Sequence, residues 1–374
     1  MAGIYIHIPY CKQKCNYCNF FSSASGKTKE AFIDALLKEI ALQHTYLKDE
    51  EINTIYFGGG TPSLLTKDNL DAIFNQLYKY YTINKDAEIT LEANPDDLTK
   101  EKIIELKNTP VNRFSMGVQS FFKEDLEYLN RIHSSEQAIE AIKRAQDTGF
   151  NNITIDLIYG IPGASDQRWN DNLSIAFDLN IPHISSYCLT IEEGTALHHL
   201  INKGKAKPVD EEQGIRQFVI LMDRMTENNY IHYEISNFCK DGFISIHNSN
   251  YWRQKKYLGL GPSAHSFNSH SRQWNTANIT KYISSINNEI IPFESEILST
   301  EQQYNEYILT SLRTIWGINK EYLKHHFNKE YNQHFDENIK QFLLFKTIEE
   351  NATSYYLTRT GKFIADGIAA ELFI

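Results

Sequence analysis

The chain has 374 residues, 41% of them hydrophobic, which suits one large domain plus a smaller one and is too apolar for disorder to be the default. A net charge of −10, spread without blocks, disfavours nucleic-acid binding, which needs a basic surface to displace counterions. No run of apolar residues is long enough for a transmembrane helix, and Met1 to Pro9 carries no basic segment ahead of an apolar one, so the expected location is cytoplasmic.

Through the first half, an apolar strand followed by an amphipathic helix recurs. The predicted strands are Gly3–Ile8, Ile52–Phe57, Ala87–Glu92, Val111–Gln119, Asn152–Ile158 and His183–Leu189. Between them lie helical faces such as Phe32, Ile33, Leu36, Leu37 and Ile40, or Leu70, Ile73, Phe74 and Leu77. Six strands alternating with helices predict an α/β fold with a parallel sheet and right-handed crossovers, either open and doubly wound or curled into a whole or partial βα barrel.

After Thr195 the pattern changes. Glu211–Asn228 predicts a helix, and Tyr230–Asn275 is rich in Tyr, His, Asn and Gly with little periodicity. From Thr300 the chain is mainly helical, with a strand pair around Phe345–Leu357 and a closing helix from Gly361 to Phe373. The expected division is a barrel core over 1–200, a flanking region over 201–298 and a winged-helix-like helical domain over 299–374. Eight Lys/Arg against ten Asp/Glu in Ser299–Ile374 make that last unit a packing domain rather than a DNA-binding one.

Three of the five cysteines crowd into Cys11-Lys12-Gln13-Lys14-Cys15-Asn16-Tyr17-Cys18, just after the first strand. On a loop, C-x3-C-x2-C lets three thiolates meet one iron–sulfur cube and leaves the fourth iron open to a small chelating molecule. The competing reading is zinc completed by a histidine, but structural zinc sites usually pair two ligand groups, and Cys188 and Cys239 stand alone. The second strand runs into Gly58-Gly59-Gly60-Thr61-Pro62, which lacks the spacing of a nucleotide phosphate loop. Glu92, Gln119 and Asp156 end the third, fourth and fifth strands. Polar groups at successive strand ends share one face in a βα barrel, where binding concentrates, and this favours the barrel over the open sheet.

The cysteine run with its aromatic before Cys18, close to the first strand of a βα repeat, resembles the radical-SAM superfamily. That resemblance implies a partial (β/α)6 barrel, a [4Fe–4S] cluster on Cys11, Cys15 and Cys18, and S-adenosylmethionine (SAM) on the open iron. Reduction of such a cluster cleaves a carbon–sulfur bond of SAM to a 5′-deoxyadenosyl radical. It places Tyr17 near the adenine and Gly59, Gly60 and Thr61 at the amino acid end of SAM.

Over nearly the whole chain the spacing is similar to the oxygen-independent coproporphyrinogen oxidase family, which adds Tyr5, Glu92, Gln119, Arg131 and Asp156 as SAM contacts. Two functions are known in that family, radical decarboxylation of coproporphyrinogen III and the HemW-type heme chaperone. Three features favour the chaperone. Phe20 stands where the oxidases carry a fourth cysteine, only ten residues precede Cys11, and His247-Asn248-Ser249-Asn250-Tyr251-Trp252 matches the chaperone's H-N-x-x-Y-W signature. The resemblance thus implies heme bound through His247, apo-protein recipients such as cytochromes, membrane-associated ones included, and an electron donor to the cluster. His133, His325 and His326 carry no pattern that assigns them a role.

Overall fold

A computed structural model describes all 374 residues. In chain order its main elements are β1 (Ala2–Ile8), α1 (Lys29–Leu42), β2 (Ile52–Gly59), α2 (Lys67–Tyr80), β3 (Ile83–Ala93), α3 (Lys100–Lys107), β4 (Arg113–Gln119), α4 (Lys123–Tyr128), α5 (Ser135–Asp147), β5 (Asn152–Tyr159), α6 (Asp166–Asp178) and β6 (His183–Cys188). There follow α7 (Ala196–Asn202), α8 (Glu211–Glu227), β7 (Ile231–Glu234), β8 (Asn237–Cys239), α9 (Ile246–Trp252), β9 (Tyr257–Leu260), β10 (His265–Phe267), β11 (Ser271–Asn275), α10 (Ile279–Asn287) and β12 (Phe293–Ile297). The last part holds α11 (Thr300–Leu312), β13 (Ile318–Asn319), α12 (Lys320–His326), α13 (Lys329–Leu344), β14 (Ile348–Glu350), β15 (Ser354–Leu357) and α14 (Ala365–Leu372).

Strands β1 to β6 lie side by side in chain order, all parallel. The ring is not closed: β1 takes β9 on its free side, and β6 takes β8. This is the partial barrel, extended at both edges. Alternation along each strand sorts its residues into two faces. Ile4, Ile6 and Ile8 join Phe32, Leu36, Ile55 and Phe57 in the core beneath the helices. The alternate positions are polar: Tyr5 and His7, Thr54 and Tyr56, Glu88, Thr90 and Glu92, Arg113 and Ser115, Thr154 and Asp156. The inner face therefore serves chemistry, while the outer face holds the fold together. Each fully buried Ile or Leu there stabilises by roughly 1.5–3 kcal/mol.

The helices form where the sequence starts them. Thr66 and Asn69 make a reciprocal capping box on α2, and Ser134 and Gln137 make another on α5.

The stretch 230–275, expected to be irregular, contributes five short strands and α9 to this sheet. Strands of three to five residues are too short for a period of two to register. In the last part, residues from Tyr304 to Leu372 build a separate apolar core beneath a small sheet ordered β13-β15-β14.

Candidate cofactor site at the barrel mouth

The loop from β1 to α1 carries Cys11, Cys15 and Cys18, all three free and partly exposed. It is pinned where it crosses the barrel mouth. Asn16 N donates to Leu129 O at 3.2 Å, and Asn16 Nδ2 to Tyr128 O at 3.0 Å. Gln13 Nε2 donates to Asn130 Oδ1 at 2.8 Å, and Asn130 Nδ2 returns a bond to Lys14 O at 3.0 Å. Leu197 N closes the other side on Asn16 O at 2.7 Å.

Arg131 reaches the same loop. Its Nη1 donates to Cys15 Sγ at 3.2 Å, and its Nη2 donates to Asn94 Oδ1 at 2.7 Å and Gly117 O at 2.6 Å. Its Nε is buried without a partner. Tyr17 packs against the small apolar cluster of Leu129, Ile158, Ile161, Leu189 and Leu197.

Glu92 accepts from Tyr56 Oη at 2.9 Å and from Gly59 N at 3.1 Å. Burial pushes its carboxyl up to about 7; the Tyr56 bond opposes this, and the charge of Asp156 adds to it. Burial also lifts Asp156 to about 6, against a Ser185 hydrogen bond and the charges of Arg113 and Arg131. Two carboxyls facing one lumen with raised pKa values favour a cationic ligand, which would draw both into the charged form. Tyr5 donates or accepts at His7 Nδ1 at 3.1 Å, and its ring stacks on Tyr56.

Gly59 has a φ of 102°, and a Cβ there would lie 2.5 Å from the His7 ring. Gly60 N donates to Ile8 O at 2.8 Å, and Thr61 N to Tyr10 O at 2.7 Å. These amides are thus taken up in seating the turn against the end of β1 and the residues just after it. Gln119 ends β4 at a φ of 68°, uncommon outside glycine, and it is buried. A Cβ on Gly117 would come within 2.9 Å of Gln119 Nε2, so this glycine makes room for the amide to fold back.

His247 lies apart from this group, at the opposite end of β1. It packs against Gly3 and is only 2% exposed. Its Nδ1 meets Thr54 Oγ1 at 2.8 Å, its Nε2 meets Tyr251 Oη at 2.8 Å, and its ring stacks on Tyr56 with centroids 4.9 Å apart. Burial pushes the imidazole down to about 3, with the charge of Arg113 adding to this. Glu88 holds the start of α9 by accepting from the amides of Ile246 at 3.0 Å and His247 at 2.8 Å, and Arg113 lies 3.8 Å from that carboxylate. With both ring nitrogens engaged, iron ligation at His247 requires Tyr251 to give way. Sequence reasoning passed over Glu88, Arg113, Asn94 and Tyr56. The polar positions alternating inside apolar strands were the available signal.

No three His, Cys, Asp or Glu side chains are drawn together tightly enough for a single metal ion, so the thiol loop shows no fourth ligand of the kind a closed zinc site needs. Three unpaired thiols on a pinned loop, with the orphaned Arg131 Nε beside them, fit a larger group anchored at separate corners.

The radical SAM superfamily model matches residues 5–174, and the HemN C-terminal domain model matches residues 298–364. The chain is 31% identical over 371 residues to the heme chaperone HemW of Bacillus subtilis, covering 98% of each chain. It is 37% identical over 267 residues to the heme chaperone HemW of Escherichia coli, covering 70% of this chain and 69% of that one. Its fold matches the solved structure of coproporphyrinogen III oxidase (HemN) from Escherichia coli with a TM-score of 0.86, at 21% identity and over 100% of this chain and 90% of that one. Fold and thiol loop define a radical SAM protein, with a [4Fe–4S] cluster and SAM as its cofactors. Within that superfamily the chain belongs to the HemW family.

Proposed function

We propose that this protein is a heme chaperone that binds heme beside its cluster and SAM and delivers the heme to apo-proteins. The observation that carries this reading is the 31% identity to a named heme chaperone over 98% of both chains. The H-N-x-x-Y-W run on α9 supports it. Recipients would be apo-cytochromes and similar proteins, some at a membrane, and a separate electron donor would reduce the cluster in the cytoplasm. The oxidase alternative has the fold in its favour and no observation on the site. Phe20, where that reading wants a fourth cysteine, is 64% exposed on the loop.

In this scheme Cys11, Cys15 and Cys18 hold the cluster, which supplies one electron and an open iron when bound. Arg131 orients SAM's carboxylate with its planar fork, the atom group that now satisfies itself on Asn94 and Gly117. Glu92, with the carbonyls of Gly59 and Gly60, holds the ammonium, and Thr61 stiffens the turn. Asp156 and Gln119 take ribose hydroxyls, Tyr17 covers the adenine, and Tyr5 props the floor through His7 and Tyr56. His247 is the heme ligand that the family resemblance implies.

The test is an anaerobic heme titration of the reconstituted protein followed by absorbance, then incubation with an apo-cytochrome. Saturable binding and transfer are expected. Absence of saturable binding, together with turnover of coproporphyrinogen, would overturn the reading in favour of the oxidase.

A further inference from the structure

Lys12, the residue after Cys11, places its ammonium between two carboxylates, Asp96 at 2.8 Å and Asp97. The side chains of the two acids are only 12% and 3% exposed, and no other cation lies within ion-pair distance of either. Exposed ion pairs are worth little. Here the burial of the acids decides otherwise, because removing one partner of such a pair leaves charge uncompensated in a poorly hydrated place. Lys12 itself is 42% exposed, so it can be replaced without opening the core.

The acids stand on the turn 94–97 that follows β3, and the same turn serves the residues assigned to SAM. Asn94 Oδ1 accepts from Arg131 Nη2, and Asn94 Nδ2 donates to Thr61 Oγ1 at 3.3 Å. Asp97 accepts from Ser63 Oγ at 2.7 Å, just past the glycine turn. The charge of Asp96 acts on the Arg131 guanidinium. One short turn therefore carries an amide that aims Arg131 and a carboxylate that competes for it. Without the ammonium, two carboxylates would face a site that must accept SAM's own carboxylate, beside a cluster bound by three thiolates. The reduction potential of such a cluster follows the net charge around it.

We propose that Lys12 is a positioning residue for the cofactors. It straps the arc 11–15 of the thiol loop to the turn 94–97 and offsets Asp96 and Asp97, which leaves Arg131 free for SAM's carboxylate. The proposal rests on the SAM contact assigned to Arg131 and adds the residue that keeps that contact available. Two consequences separate a charge role from a mere tether. An arginine at this position should serve nearly as well, and removing an acid should compensate for removing the lysine.

The experiment compares reconstituted full-length protein at equal iron content: wild type, Lys12→Gln, Lys12→Arg and the double variant Lys12→Gln with Asp96→Asn. SAM affinity is read by anaerobic calorimetry, and the cluster's midpoint potential by a redox titration followed by electron paramagnetic resonance. Lys12→Gln is expected to weaken SAM binding by about tenfold. It should also lower the potential, a tenfold fall in the one-electron equilibrium constant reading as about 59 mV. Lys12→Arg should stay within about threefold of the wild type, and the double variant should recover most of both losses. Lys12→Gln that matches the wild type in both readouts would overturn the proposal. So would a double variant no better than Lys12→Gln, since a tether alone would then account for the loss. A wild type that loads the cluster and binds no SAM would instead end the assignment of Arg131 on which the proposal rests.

Discussion

The Tyr56 hydroxyl donates to Glu92 Oε1 across 2.9 Å, while the ring of the same tyrosine lies against His247. One side chain thus links the carboxylate proposed for SAM's ammonium to the imidazole at the other end of the barrel. Tyr56→Phe removes the bond that holds the Glu92 pKa down, so the pH at which SAM binding strengthens should rise above its wild-type position near the Glu92 value of about 7. SAM titrations of the reconstituted protein from about pH 6 to about pH 8.5 read this directly. An unmoved midpoint would remove Glu92 from the ammonium site.

Glu92 also governs stability in the absence of ligand. Its folded value of about 7 exceeds the ordinary glutamate value, so between the two the folded state holds a proton that the unfolded chain has released. Stability from this group is full below the unfolded pKa and is lost as pH rises through about 7. Asp156, lifted to about 6, acts in the same direction. Thermal unfolding of the cluster-free protein should therefore show Glu92→Gln gaining on the wild type as pH rises from the ordinary glutamate value of 4.5 to about 7, and holding level above it. Parallel curves would contradict it.

Arg131→Lys keeps the charge but loses the fork that spans Cys15, Asn94 and Gly117. SAM affinity should fall by about tenfold or more, since a bidentate charge-assisted contact becomes a single one. Iron content after reconstitution should fall less, because the three thiols remain. Calorimetry for SAM and an iron assay on the same sample separate the two effects.

Gly59→Ala meets two penalties, a φ of 102° and a Cβ 2.5 Å from the His7 ring. The expected loss is about 2–4 kcal/mol in urea unfolding, more than either the backbone cost or a surface change alone. A loss below about 0.5 kcal/mol would mean that the turn relaxes freely.

The barrel was legible because apolar strands alternate with amphipathic helices and polar groups stand at successive strand ends. Glu92, Gln119 and Asp156 stood out as polar groups at strand ends, Tyr5 and Arg131 were reached only through the family pattern, and the structure brings Glu92, Arg131 and Asp156 to one mouth. Periodicity could not reveal β7 to β11, since a three-residue strand such as Asn237–Cys239 is defined by its partner and not by its own alternation.

β1 is flanked on its second side by Tyr257–Leu260, a segment from far along the chain. Until that distant segment has been made, the strand from which the thiol loop hangs is held along one side alone. A chain cut short of Leu260 would leave that strand paired with β2 alone, and the thiol loop would hang from a half-supported edge.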